Sequence, residues 1–127
     1  MKYLVDTCGW IEWLMDGILA DSFAPYLLHP EALIIPSVQQ YELYRWVCRE
    51  RDKATALDVI AITEQGKVIT LDTRLALFAA DIASKFKLAA MDAIIYSTAI
   101  QAGVELITSD SHFENLPEVY YFPKIVS

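Results

Sequence analysis

Three apolar runs in this 127-residue chain end in an acid followed by a hydroxyl residue: Asp6-Thr7, Asp72-Thr73 and Asp110-Ser111. One acid between a strand and a helix is an ordinary N-cap, accepting from backbone N–H groups of the first turn. Several brought to one sheet edge would be different, because bare carboxylates at close quarters repel one another unless a cation joins them. Two further acids invite the same question. Glu42 shares a helical face with Val38, Arg45 and Trp46. It suits either a surface ion pair with Arg45 or a carboxylate aimed back at the strand ends. Asp92 opens a segment, 92–100, that is apolar around most of its circumference. An acid there is costly unless it caps the helix, pairs or binds metal. The chemistry open to such a cluster is that of a divalent cation held by carboxylate oxygens, which polarises a phosphate and lowers the pKa of an attacking water.

Other chemistries find less support. Cys8 and Cys48 form no CxxC and no Cys/His cluster, which argues against structural zinc. His29 and His112 are isolated, and no nucleophile elbow, GxGxxG or P-loop occurs. Trp10, Trp13, Tyr41, Tyr44 and Trp46 read as core or interface aromatics rather than base-stacking platforms.

The elements that must position the acids follow from periodicity. Apolar runs at 3–5, 33–36, 68–71, 106–108 and 119–122 read as short strands. Helical spacing carries 11–17, 38–51, 54–63, 75–85 and 92–101, with Gly103 as the C-terminal stop of the last. Ser37 after Pro36 reads as an N-cap, and 23–28 as a short helix broken by Pro25 and His29-Pro30. Strands that alternate with helices and are apolar throughout predict an α/β fold, its parallel sheet covered on both faces. Ligands in such sheets bind beyond the carboxyl ends of the strands, near a switch in strand order. No repeat and no internal boundary is visible, so residues 1–127 are expected to form a single domain.

Composition narrows the classes. Hydrophobic residues make up 55% and charged residues 21%, which excludes a disordered chain. The net charge of −7 and pI of 4.6 disfavour a passive nucleic-acid binder, which would carry its own basic patch. Any phosphate chemistry would need positive charge from a bound cation. No run reaches membrane-spanning length and no signal segment is visible, so a cytoplasmic location is expected, with no membrane partner. A mean hydropathy of +0.32 in so small a domain points to an apolar interface.

The spacing Val5-Asp6-Thr7, Glu42, Met91-Asp92-Ala93-Ile94-Ile95-Tyr96 and Ile107-Thr108-Ser109-Asp110, with Phe113 beyond, resembles the PIN-domain pattern over essentially the whole chain. More narrowly, it is similar to VapC-type toxins of toxin–antitoxin pairs. The resemblance implies a PIN-like three-layer α/β/α sandwich with a five-stranded parallel sheet. It implies a metal-dependent endoribonuclease using Mg²⁺ or Mn²⁺, with Asp6, Glu42, Asp92 and Asp110 as the catalytic and metal-binding acids and Thr7 ordering the site. Water would attack the RNA and leave 5′-phosphate and 3′-hydroxyl ends. It further implies a homodimer and a cognate VapB-type antitoxin whose tail blocks the acids. Asp72 matches no family acid and returns to the N-cap reading.

Two positions depart from the pattern. His112 stands where many relatives carry an acid, and imidazole suits Mn²⁺ better than Mg²⁺. Cys8 stands where a small hydroxyl residue is common. The alternative is a catalytically inactive PIN-like binding subunit, to which His112 lends weight. A phosphotransferase using Asp6 as nucleophile is disfavoured, since a dehalogenase-type site needs an acid where Cys8 stands, and a receiver needs an adjacent acidic pair and a late lysine that are missing.

Overall fold

The structure, a computed structural model, describes residues 1–124. Five short strands alternate with six α-helices: β1 (Tyr3–Val5), α1 (Thr7–Leu14), α2 (Ala20–Leu27), β2 (Ile34–Pro36), α3 (Ser37–Glu50), α4 (Lys53–Thr63), β3 (Lys67–Ile69), α5 (Thr73–Phe86), α6 (Ala90–Ala102), β4 (Glu105–Thr108) and β5 (Val119–Tyr121). A 3-10 turn, Pro30–Ala32, precedes β2, and another, Ser111–Phe113, follows β4.

All ladder pairs are parallel, as expected, but the five strands form two hydrogen-bonded groups rather than one continuous sheet. One has the order β1-β4-β5 and the other is β2-β3. A single parallel bridge, Tyr3 to Leu33, joins them, giving the spatial order β3-β2-β1-β4-β5. The seam has a chemical cause. Carried forward from the Tyr3–Leu33 bridge, the register sets the Val5 carbonyl against Pro36, which has no N–H to donate. The Gln39 side-chain amide donates to that carbonyl instead, at 2.6 Å.

Alternation along each central strand builds the layers. Val5, Ile35 and Ile107 face one core with Trp10, Phe23, Leu27 and Leu43 from α1, α2 and α3. Their neighbours Leu4, Ile34 and Leu106 face the other, with Ile82, Ile95 and Tyr96 from α5 and α6. The result is the expected α/β/α sandwich, its central strands buried on both faces. Gly9 lets α1 sit tightly on this sheet. A Cβ there would lie 2.6 Å from the Phe23 ring and 2.7 Å from Val5 Cγ1.

Two helix ends differ from expectation. α2 runs through Pro25, which lies on the solvent face, so the Asp21 carbonyl deprived of its i+4 donor can turn to water. At α3 the cap position belongs to Pro36; Ser37 is the first helical residue and its side chain makes no capping bond. Gly103 ends α6 in the left-handed conformation, φ 69°, as its position predicts.

Candidate active site

Two of the acids follow strands, Asp6 after β1 and Asp110 after β4, while Glu42 comes from α3 and Asp92 from α6. Asp6 follows β1 and begins α1, and it is buried, 4% exposed. Its Oδ1 accepts from the Thr7 N–H at 2.8 Å, and its Oδ2 accepts from Thr108 Oγ1 at 2.9 Å and Cys8 Sγ at 3.4 Å. An N-cap usually accepts from the second or third helical N–H. Asp72 does so, accepting from Leu75 N at 2.8 Å and making no other side-chain bond among the described residues, so the capping reading is complete for it. For Asp6 it is not, because its second oxygen is tied across the sheet to β4.

Burial pushes the Asp6 carboxyl up from 3.8 to about 6. The three bonds from Thr108, Cys8 and Thr7 pull it down, and the charge of Asp92 adds to the rise. Desolvation therefore outweighs three donors. Burial likewise pushes the Cys8 thiol up to about 11, helped by the Asp6 charge beside it.

Asp92 is not the cap of α6. That position is Ala89, and Asp92 lies in the first turn, half-buried. Its carboxyl is raised by burial first, then by the charge of Asp110 and, more weakly, Glu42, while His112 opposes the rise. Asp92 thus feels Asp110 and Glu42, and its own charge acts on Asp6. Asp92, Asp110 and His112 each offer an atom within 4.8 Å of the others.

Glu42 reaches the cluster from α3. Its Oε1 accepts from Thr7 Oγ1 at 2.7 Å, and among the described residues it makes no ion pair with Arg45. Asp110 caps the 3-10 turn after β4, and its Oδ1 lies 2.8 Å from His112 Nδ1 and 2.9 Å from the His112 N–H. The imidazole stands at a position where a further acid would have added to the repulsion among the carboxylates.

Two positioning residues escaped the sequence reading. Thr108 Oγ1 donates to Asp6 and accepts from the Asp110 N–H at 2.9 Å, tying two of the acids into one network. A β-branched residue at a strand end carries no sign of this role. Gln39 anchors α3 to the end of β1, three residues before Glu42. Its signal was available: Gln39, Leu43 and Val47 form one buried stripe, and a polar residue on such a stripe needs a partner.

The donor set fits a divalent cation. Carboxylate oxygens are the ligands Mg²⁺ and Mn²⁺ take, and the raised Asp6 and Asp92 carboxyls are those a cation would return to the charged form. Asp92, Asp110 and His112 offer the atoms close enough to share one cation, and among the described residues Asp6 and Glu42 stand outside that group.

Comparison with known proteins agrees with this geometry. The PIN domain family profile matches residues 3–119, and the chain belongs to that family. No curated protein matches the sequence. Among solved structures, a toxin–antitoxin complex from Klebsiella pneumoniae contains a chain that is 22% identical and superposes with a TM-score of 0.78, over 95% of this chain and 100% of that one. DNA-bound VapBC from Salmonella typhimurium is 18% identical with a TM-score of 0.72, over 96% and 97%. VapBC2 from Rickettsia felis, bound to a promoter DNA fragment, is 17% identical with a TM-score of 0.71, over 96% and 98%. At these identities the likeness is one of fold. No helix of the described residues is long and apolar enough to cross a membrane.

Proposed function

We propose that this chain is a divalent-metal-dependent endoribonuclease and the toxin of a VapBC-type toxin–antitoxin pair, acting in the cytoplasm as a homodimer. The observation that carries the catalytic reading is the convergence of four acids beyond the carboxyl ends of β1 and β4: Thr108 bonds to both Asp6 and Asp110, Thr7 bonds to Glu42, and Asp92 lies against Asp110. A bound Mg²⁺ or Mn²⁺ would polarise the scissile phosphate and lower the pKa of the attacking water. Asp6 and Asp92 are the principal ligands. Asp110 and Glu42 complete the set or orient the water, with Glu42 held in place by Thr7 and Asp110 by Thr108. The net charge of −7 is compatible with RNA because the cation presents positive charge where the phosphate arrives. The fold shared with chains of toxin–antitoxin complexes supports an antitoxin partner whose tail would cover the same acids.

The test is cleavage of a defined RNA by purified protein, with the ends mapped. Cleavage in Mg²⁺ or Mn²⁺ that leaves 5′-phosphate ends and is lost on chelation or in Asp92→Asn is expected. Cleavage that continues unchanged in excess EDTA would sink the mechanism. The second reading, a binding subunit without catalysis, rests on His112 and its bond to Asp110. It prevails if the protein binds Mn²⁺ at these acids yet cleaves nothing.

A further inference from the structure

A groove of about 510 Å³ opens directly off the candidate site, with Thr7 and Glu42 in its wall. It follows α3 for two turns, from Glu42 past Arg45 and Trp46 to Arg49, with Tyr41 beside it. Three of the chain's four arginines, Arg45, Arg49 and Arg51, fall within seven residues of this acidic protein. Arg45 and Arg49 are exposed; Arg45 makes no ion pair among the described residues, and Arg49 Nε makes an exposed pair with Glu50 Oε1 at 3.2 Å, which an arriving phosphate can replace. They stand one turn apart, about 6 Å along the helix axis. That separation is on the scale of one step of an extended nucleic-acid strand. Tyr41, read from sequence as a core or interface aromatic, is 57% exposed in the single chain and so lies outside the core.

Resting on the nuclease reading above, we infer that this groove seats single-stranded RNA as it leaves the carboxylate cluster, with Arg45 and Arg49 on successive phosphates and the Tyr41 ring against a base. A substrate whose scissile phosphate lies among the acids must continue past Glu42, and this groove is a path that begins there. Its chemistry alternates guanidinium with aromatic surface, the pairing that holds single strands without reading sequence. Arginine on phosphate and a ring under a base together match a nucleic acid. An acidic peptide would use the arginines and leave the ring unmatched. The arrangement also gives a chain with net charge −7 a local pair of guanidinium groups against which a polyanion can lie.

The experiment is fluorescence anisotropy of a labelled oligouridylate about eight nucleotides long, with Ca²⁺ replacing Mg²⁺ to hold turnover back. R45Q/R49Q should weaken binding by about ten-fold or more and reduce the slope of log K against log salt by about 1.4, the share of two phosphate contacts on a single strand. Tyr41→Ala should weaken it about five-fold and Tyr41→Phe should restore it, because stacking needs the ring alone. K85Q/K87Q, which removes two charges at the far end of α5, should leave affinity unchanged within about two-fold. In the cleavage assay R45Q/R49Q should raise KM with little change in kcat. Equal losses in R45Q/R49Q and K85Q/K87Q overturn the inference, as does a wild-type protein that binds no oligouridylate. So does Arg45- and Arg49-dependent binding of an oligoglutamate peptide that RNA cannot displace. RNA cleavage by the parent with undiminished binding in R45Q/R49Q removes the groove and keeps the nuclease. Groove-dependent binding without cleavage does the reverse.

Discussion

Asp6→Asn is the substitution whose consequences follow most directly from the geometry. In the metal-free protein at neutral pH, the buried Asp6 carboxylate must ionise against a pKa raised from 3.8 to about 6. That gap, at about 1.4 kcal/mol per pH unit, makes the folded state about 3 kcal/mol less stable at pH 8 than the same fold with a neutral group. The sign follows from proton binding. Between pH 3.8 and about 6 the folded protein keeps a proton that the unfolded chain has released, so stability is greatest below the lower value and falls as pH rises to the upper one. Asparagine removes this term. It keeps an oxygen for the Thr7 N–H but turns an NH₂ toward Thr108 Oγ1, which now donates to Oδ2. Losing that bond costs about 1 kcal/mol. The net expectation in EDTA is a gain of about 2 kcal/mol at pH 8, vanishing near pH 4.5 and becoming a small loss below it. Urea denaturation of both proteins from pH 4 to 8 measures this directly. Added Mn²⁺ should stabilise the parent and scarcely move the variant, because only binding to the folded state shifts the midpoint. Asp72→Asn is the control, since asparagine caps a helix as well as aspartate does, and it should be neutral throughout. A pH-independent loss in Asp6→Asn, with the metal response intact, would refute the reasoning and leave Asp6 a helix cap.

Two other outcomes follow. Mn²⁺ should support at least as much cleavage as Mg²⁺, and His112→Ala should lower the Mn²⁺-to-Mg²⁺ activity ratio, because the imidazole lies within ligand distance of Asp92 and Asp110; a preference for Mg²⁺ that disappears in His112→Ala would contradict the role given to the ring. The protein should sediment as a dimer at about ten micromolar, since Met15, Ile18, Leu28, Leu57 and Leu77 are each more than half exposed in the single chain; a monomer at that concentration would remove the assembly prediction.

The sandwich was legible because its signals are local. Leu33 to Pro36 and Leu106-Ile107 are apolar at consecutive positions, which a strand tolerates only when both faces are covered, and the structure covers them with α1–α3 on one side and α5–α6 on the other. Breaks in the backbone pattern were harder to read. The seam between β1 and β2 depends on Pro36 facing a carbonyl and on Gln39 reaching it from the next helix, a coincidence of register that no window of sequence contains.

The acids illustrate the same limit more sharply. Asp6-Thr7 and Asp72-Thr73 are identical dipeptides after apolar runs, yet one joins the candidate site and the other caps a helix. Strand order separates them. From β1 the chain moves outward through β2 to β3, then returns across β1 to β4 and on to β5. The direction reverses between β1 and β4, and a crevice opens beyond the carboxyl ends of strands where that happens. Asp6 and Asp110 follow the two strands that flank the reversal, and Thr108 accepts from the Asp110 N–H beside it and reaches across the reversal to Asp6. Asp72 follows β3 at the outer edge, two strands from β1. What turns a helix cap into a candidate metal ligand is therefore the place of its strand in the sheet. The order of strands is fixed by long-range packing, so neither dipeptide could declare its role alone.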